Sequence, residues 1–389
     1  MIYLDNAATT ELDPAVLEAM MPYLKTEYGN AGSMYWLGRK ARNAVENARE
    51  QVARFLNANP EQIIFTSSGS EANNLAILGL RDHLLSIGKT EIITTPVEHM
   101  SVLNSINELC IKHGFHSHFL PTFSDKIVRT VDLNSAINDQ TGLVSTMYSN
   151  NETGLTSPVK KIGKVCSSKN ILFHTDCVQA AGCYDLDVKK LNCDSLSISA
   201  HKIHAPKGVG ALYIKNKDIY SPIIFGGHGQ EFGLRAGTEN VANIVGFGYM
   251  CNLLGEVLKS HSEYLSCLKD KFCAKLTNEL NNIGLKDIIH FNSTTKTSAG
   301  KTVNVRFDGV DGQTLLLLLD KSGICVSSGS ACSGSATTAS HVLLAMGISE
   351  EDAANSIRVS FSASNSDDEV IEAAHIIVDC VRSLLDVKD

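Results

Sequence analysis

Lys202 is the residue of this chain with the most chemistry in prospect. It leaves an apolar strand, Ser195-Leu-Ser-Ile-Ser199, and enters a loop rich in Gly and Pro that runs to Gly210. An isolated lysine is ordinarily solvated surface, and Lys207 in the same loop reads that way. A lysine that forms Schiff bases must instead be partly desolvated, beside a phosphate and an acid. The acid is Asp176, which ends the apolar run Ile171-Leu-Phe-His-Thr175 at the edge where open α/β sheets place ligands. It could cap the next helix, or pair with a protonated pyridine nitrogen and complete an electron sink. Gln179, one helical turn on, can reach the oxygen of the same ring. The phosphate would lie on Thr66-Ser-Ser-Gly-Ser-Glu-Ala-Asn-Asn74, a small-residue turn between a strand and a helix. Its N–H groups, including that of Gly69, and the Ser70 hydroxyl form either a plain N-cap or an anion cradle.

A second kind of chemistry sits near the other end. Ser327-Ser-Gly-Ser-Ala-Cys332-Ser-Gly-Ser-Ala-Thr-Thr-Ala-Ser340 holds nothing larger than Thr or Cys. Such a segment has little apolar area to bury, so a mobile loop carrying a reactive thiol is expected. Most other cysteines (Cys110, Cys166, Cys183, Cys251, Cys267, Cys273, Cys380) lie in helical or apolar surroundings, where a thiol packs as a small hydrophobe, and Cys325 lies on an apolar strand. Eleven cysteines, an odd number without Cys-x-x-Cys pairs or zinc spacing, read as reduced thiols rather than a disulfide framework, and no metal is expected.

These groups need a scaffold, and the apolar patterning describes one. Strand-length runs alternate with helical stretches: Gln62–Thr66, Glu71–Ser86, Glu91–Thr95, Ser101–His113, Leu143–Met147, Val159–Lys169, Ile171–Thr175, Ser195–Ser199 and Gly210–Ile214. That is the pattern of a mainly parallel sheet covered by helices. A helix from about Asn240 to Asn281 leads to Val303–Phe307, a helix near Gly312–Ser322, Ile324–Val326 and Ile357–Phe361, read as a smaller α+β unit. At 389 residues, two domains are the natural division. The net charge of −8 argues against direct binding of nucleic acid or anionic lipid. With no export segment at Met1-Ile-Tyr-Leu-Asp5 and no apolar run read as reaching the roughly 20 residues of a membrane span, a soluble cytoplasmic protein is expected.

Taken in order, Tyr3-Leu-Asp-Asn-Ala-Ala-Thr-Thr10, Ser67 to Asn74, Glu98-His99, Asn150-Asn-Glu-Thr-Gly154, His174-x-Asp176-x-x-Gln179, Ser199-x-His-Lys202 and Arg235-x-Gly-Thr238 resemble the cysteine desulfurase family. The resemblance spans the chain and implies a fold-type-I pyridoxal 5'-phosphate (PLP) enzyme. Its large domain, about 13–258, would carry a mainly parallel seven-stranded sheet. The smaller α+β domain, 1–12 with 259–389, would carry the cysteine loop at about 327–340. Lys202 would be the Schiff-base lysine, with Ser70, Ser199 and His201 on the phosphate and Thr238 reaching it from the other subunit of a homodimer. His99 would stack on the ring and act as acid and base, and Asn151 would touch ring oxygen and substrate. Arg358, assisted by Asn30, would grip the carboxylate of L-cysteine. Cys332 would take the sulfur and hand it to an acceptor protein.

Tyr35, His228, Ala339 and Ser362 depart from the family's usual residues without removing a catalytic group. Gly29-Asn-Ala-Gly-Ser33, the His201–Gly210 loop and Phe225-Gly-Gly227 are similar to the branch that supplies sulfur for DNA phosphorothioation. Sulfur supply to iron–sulfur clusters or tRNA thiolation is the alternative destination, and another fold-type-I aminotransferase or lyase the alternative enzyme.

Overall fold

A computed structural model describes residues 1–125, 127–227, 229–293, 300–328 and 339–386. After a two-residue strand, β1 (Ile2–Tyr3), the chain builds its central sheet from β2 (Ile63–Thr66), β3 (Glu91–Thr94), β4 (His116–Phe119), β5 (Thr141–Ser145), β6 (Leu172–Asp176), β7 (Ser195–Ser199) and β8 (Gly210–Ile214). Their order is β2-β8-β7-β6-β5-β3-β4. β8 runs antiparallel to β2 and β7, and the remaining pairs are parallel. β2, β5, β7 and β8 are buried at every residue, as expected of strands covered on both faces. This is the seven-stranded, mainly parallel sheet of fold type I.

Two local expectations change. The edge strand β4 is exposed throughout and alternates no apolar residues, so the sequence carries no signal for it. The single helix expected over Glu71–Ser86 divides into Gly69–Leu78 and Arg81–Ser86. Between them the Gly79 carbonyl accepts the Ser221 N–H at 2.8 Å, a contact from outside the helix that sequence periodicity cannot reveal.

The helix Val241–Asn282 joins two hydrophobic cores. Ile244, Phe247, Met250, Cys251 and Leu254 pack into the core under the central sheet. Leu265, Leu268, Phe272, Leu276 and Leu280 pack into a second core with Ile2, Leu4, Val305, Ile357 and Phe361. By length and composition this helix could cross a membrane, contrary to the expectation that no apolar run reaches that length; its buried apolar residues belong to the two cores, while Val257 and Tyr264 are exposed.

The second core is covered by a four-stranded antiparallel sheet of β9 (Ile289–Phe291), β10 (Thr302–Phe307), β12 (Ser327–Ser328) and β13 (Ile357–Ser360), in the order β12-β13-β10-β9. β11 (Ile324–Cys325) pairs with β1, which places the start of the chain against its last third. The helices Gly312–Lys321 and Asp367–Asp386 complete this α+β layer.

Every cysteine among the described residues is free. Cys166, Cys183, Cys251, Cys273 and Cys380 are buried as expected, while Cys110 and Cys325 are only half-buried. Cys267 is exposed, contrary to its assignment to the core. It falls off the stripe Leu265, Leu268, Phe272 and Leu276 that turns the helix toward the second core.

Candidate active site

The carboxyl ends of β5, β6 and β7 and the start of the helix Gly69–Leu78 converge on a cavity of about 250 Å³. Of the residues singled out in the sequence, Gly69, Ser70, His99, Asn151, Asp176, Gln179, Ser199, His201 and Lys202 line it. Ala7, Ala8, Ser68, Asn73, Ser101, Met147, Ser149 and Val178 complete the wall.

Each group is placed by its local fold. Lys202 closes a single turn of 3-10 helix, Ala200–Lys202, directly after β7. Its Nζ donates to the carbonyls of Ala7 at 2.6 Å and Ala8 at 2.7 Å. Asp176 ends β6 and is 6% exposed. Its Oδ1 accepts the Val178 N–H at 2.9 Å, and its Oδ2 accepts from Asn73 Nδ2 at 2.7 Å. The same amide nitrogen donates to Ser101 Oγ at 2.9 Å, which lies 2.7 Å from His99 Nδ1. A hydrogen-bonded chain thus ties the acid to the histidine through two residues.

His99 is the N-cap of the helix Met100–His113, and its Nδ1 accepts the Ser101 N–H at 3.1 Å. With Nδ1 occupied as an acceptor, the neutral ring carries its proton on Nε2. Burial pushes the imidazole below its ordinary value; the Asp176 carboxylate opposes that shift, and Lys202 and His341 add to it. His201, 3.2 Å from Thr9 Oγ1 through Nδ1, is pushed down to about 4 by burial first and then by Lys202, Lys207 and Lys301. It is therefore a neutral hydrogen-bonding group at neutral pH.

Several polar atoms in the wall have capacity left. Ser199 Oγ, Gln179 Oε1 and Asn73 Oδ1 are buried without a hydrogen-bond partner. Such atoms are costly unless a ligand satisfies them. At Gly69 an added Cβ would come within 2.7 Å of Val178 Cγ2 and 3.2 Å of Ser199 Cβ, so the small residue lets the turn close on the cavity. Ser68 caps the helix by accepting the Glu71 N–H at 3.1 Å, leaving the Gly69 and Ser70 turn facing inward at the positive end of the helix dipole. A lysine amine, an acid at a strand end, a small-residue turn at a helix N-terminus and the unsatisfied Ser199 hydroxyl beside it fit PLP.

A family model described as aminotransferase class-V matches residues 2–372. The cysteine desulfurase IscS of Clostridium botulinum (strain Hall) is 43% identical over 372 residues, covering 95% of this chain and 91% of that protein. The chain belongs to the cysteine desulfurases of the class-V aminotransferase family. A solved structure described as a NifS-like protein superposes with a TM-score of 0.89 at 35% identity, covering 98% of this chain and 99% of the other. Another, described as SspA in complex with cysteine, gives 0.78 at 32% identity, covering 94% and 100%. The enzyme is a PLP-dependent cysteine desulfurase.

Among the described residues, three site residues expected from the sequence do not line this cavity. Arg358, on β13, is fully buried, donating to Asp5 Oδ1 at 2.8 Å and to the Asn151 carbonyl at 3.2 Å. It reaches the site's margin through the backbone of a lining residue. Asn30 is exposed ahead of the helix Trp36–Leu56, accepting the Gly32 N–H, and Thr238 is exposed ahead of Val241–Asn282. Cys332 and His228 lie outside the described residues.

The sequence reading missed the Ala7 and Ala8 carbonyls, Asn73, Ser101 and Asp5. Asn73, Ser101 and Asp5 stand inside or beside quoted motifs, so their proximity in sequence was the available signal. The two carbonyls had none, because any residue offers one.

Proposed function

We propose that the enzyme moves the sulfur of L-cysteine onto its own Cys332, releases L-alanine, and passes the sulfur to an acceptor protein. The observation that carries this reading is Lys202 Nζ in the same cavity as Asp176 and the unsatisfied Ser199 hydroxyl. The turn at Gly69 and Ser70, with Ser199 and His201, would hold the phosphate of PLP. Asp176 would hold the ring nitrogen, Gln179 and Asn151 the ring oxygen, and His99 one ring face. PLP, when bound, supplies an electron sink for charge developing on the substrate.

The chain's own groups would do the rest. Lys202 removes the proton from the substrate Cα, acting as a base in a partly desolvated site. Arg358 binds the substrate carboxylate while sharing its guanidinium with Asp5, and Asn30 supports it. The Cys332 thiolate attacks the substrate sulfur, the carbon–sulfur bond breaks, and its electrons stay with the carbon, which is protonated to alanine with His99 as acid. The balance is one thiol and one cysteine in, one persulfide and one alanine out.

Two arrangements belong to this reading. The chain divides within the long helix into a large domain, 13–258, and a small domain, 1–12 with 259–389, which the two separate cores support. A homodimer, with Thr238 of one subunit serving the phosphate of the other, would explain why Thr238 is exposed and not part of its own cavity wall. The relatives named IscS favour iron–sulfur clusters as the destination of sulfur. The Gly29–Ser33 and Phe225–Gly227 strings favour DNA phosphorothioation, with DNA contacted by a partner. Loss of cluster enzymes on deletion would support the first and overturn the second.

The decisive experiment is Cys332→Ser. The variant is expected to keep PLP and lose both persulfide and alanine release. Undiminished alanine release would assign the nucleophile elsewhere, and equal turnover of other amino acids would favour a general PLP lyase.

A further inference from the structure

Lys301 is a lysine where a lysine is costly. It is 6% exposed, set between the two cores, and burial pushes its ammonium below the ordinary lysine value. Long cationic side chains are almost never so deeply buried without a partner acid. Yet the small cavity beside it is lined by Cys183, Lys202, His204, His261 and Ser362, with no carboxylate among them. Its Nζ donates at 3.0 Å to the main-chain carbonyl of Lys202. Its own carbonyl accepts the Phe361 N–H at 2.8 Å, just past the end of β13, so the second core fixes its backbone. The groups whose charge reaches Lys301 are Cys183, which favours its ammonium, and Arg358, which opposes it.

We propose that Lys301 is a positioning residue for Lys202: it holds the Lys202 main chain by a hydrogen bond and stands behind it as a second cation. A neighbouring positive charge disfavours protonation of a lysine nitrogen, the means by which lysines are readied for Schiff-base chemistry. The reach of that charge is already visible on the adjacent residue, because Lys301 contributes to the lowered proton affinity of His201, and it acts likewise on His204 and His261. The arrangement also links two cores chemically: β10 begins at the residue after Lys301, so a shift of the second sheet would be felt at Lys202.

This inference rests on Lys202 as the residue that binds PLP covalently, and the test separates the two. Lys301→Met removes charge and hydrogen bond together, and Lys301→Gln removes the charge while keeping a shorter polar side chain with an amide donor. The PLP-loaded parent and both variants are titrated with pH while the absorbance of bound PLP is followed. Removing the charge should raise the proton affinity of the Lys202 nitrogen about tenfold, moving the absorbance midpoint up by about one unit. An unchanged midpoint in either folded, PLP-loaded variant overturns the role of Lys301. Lys202→Ala is loaded in parallel and treated with borohydride; irreversible attachment of PLP in that variant overturns the Lys202 assignment itself, whatever the Lys301 variants show.

Discussion

The central sheet and the four-stranded sheet both send cationic side chains toward the active site, but in opposite conditions. Lys202, at the end of β7, faces a polar cavity and donates to carbonyl oxygens that carry no formal charge, with unsatisfied hydroxyl and amide oxygens in the same wall. Arg358, on β13, is already paired with Asp5 and is sealed from solvent. The first site has been left incomplete, so a ligand gains interactions at the unsatisfied oxygens while Lys202 gives up bonds to neutral carbonyls. The second is paired at both terminal nitrogens while its Nε is buried without a partner, so a substrate carboxylate bound there, as proposed, would share the guanidinium with a carboxylate already there. On the proposed roles, PLP would meet neutral groups with spare capacity, whereas cysteine would meet a guanidinium already engaged in an ion pair.

The largest break in that comparison comes at Lys202. Lys202→Ala is expected to lower the rate of alanine formation by roughly 10²–10⁴-fold, the usual range for removing a positioned base, with cysteine affinity changed far less. Steady-state kinetics separates the two effects. Next is Arg358→Met, which should raise the KM for cysteine and also destabilise the fold, since it strands Asp5. Breaking a buried pair costs about 3–5 kcal/mol. Asp5 is 19% exposed, so a loss of about 3 kcal/mol or less in denaturant unfolding is expected. If stability is unchanged while KM rises, the Asp5 pair is not a competitor for the substrate.

A smaller effect distinguishes the wall behind His99. Glu98 is buried, and burial raises its carboxyl to about 8 from an ordinary 4.5, against the opposing hydrogen bonds from Thr95 and the Met147 backbone. A carboxyl raised in the fold binds more protons folded than unfolded, so stability falls as pH rises between about 4.5 and about 8. Glu98→Gln should flatten that decline: its Tm relative to the parent rises at about pH 8 and stays level below about pH 4. Thermal melts across pH check it. The smallest effect is expected at the exposed cysteine. Cys267→Ser should change stability by no more than about 0.5 kcal/mol, whereas Cys251→Ser buries a hydroxyl in the core and should cost about 1–3 kcal/mol.

The same contrast explains what was legible in the sequence. β2, β5, β6, β7 and β8 are short, largely apolar runs, so their presence followed from pattern, although β5 begins two residues before the Leu143–Met147 expected for it, and the roles of Asp176 and Lys202 rested on the family resemblance. β4 carries no such pattern, and the break at Gly79 depends on Ser221, far along the chain. Within the site, side chains belonging to quoted motifs were found, and those acting through main-chain atoms were not. Asn73 stood inside a quoted motif, but its link from Asp176 to Ser101 needs three separate segments brought together. Lys301 had no local signal at all, since only the packing of the two cores shows it to be buried behind Lys202.

The first eight residues have a consequence for the timing of assembly. Ile2 pairs with Ile324, and Lys202 donates to the carbonyls of Ala7 and Ala8 across 195 and 194 residues of chain. Ribosomes add roughly 5–20 residues per second. The opening segment therefore waits tens of seconds for both of its partners to emerge. Every residue of the pocket wall lies between Ala7 and Lys202, so the wall can close before β11 arrives, and the pairing of β1 with β11 then fixes the strand that leads into Ala7 and Ala8.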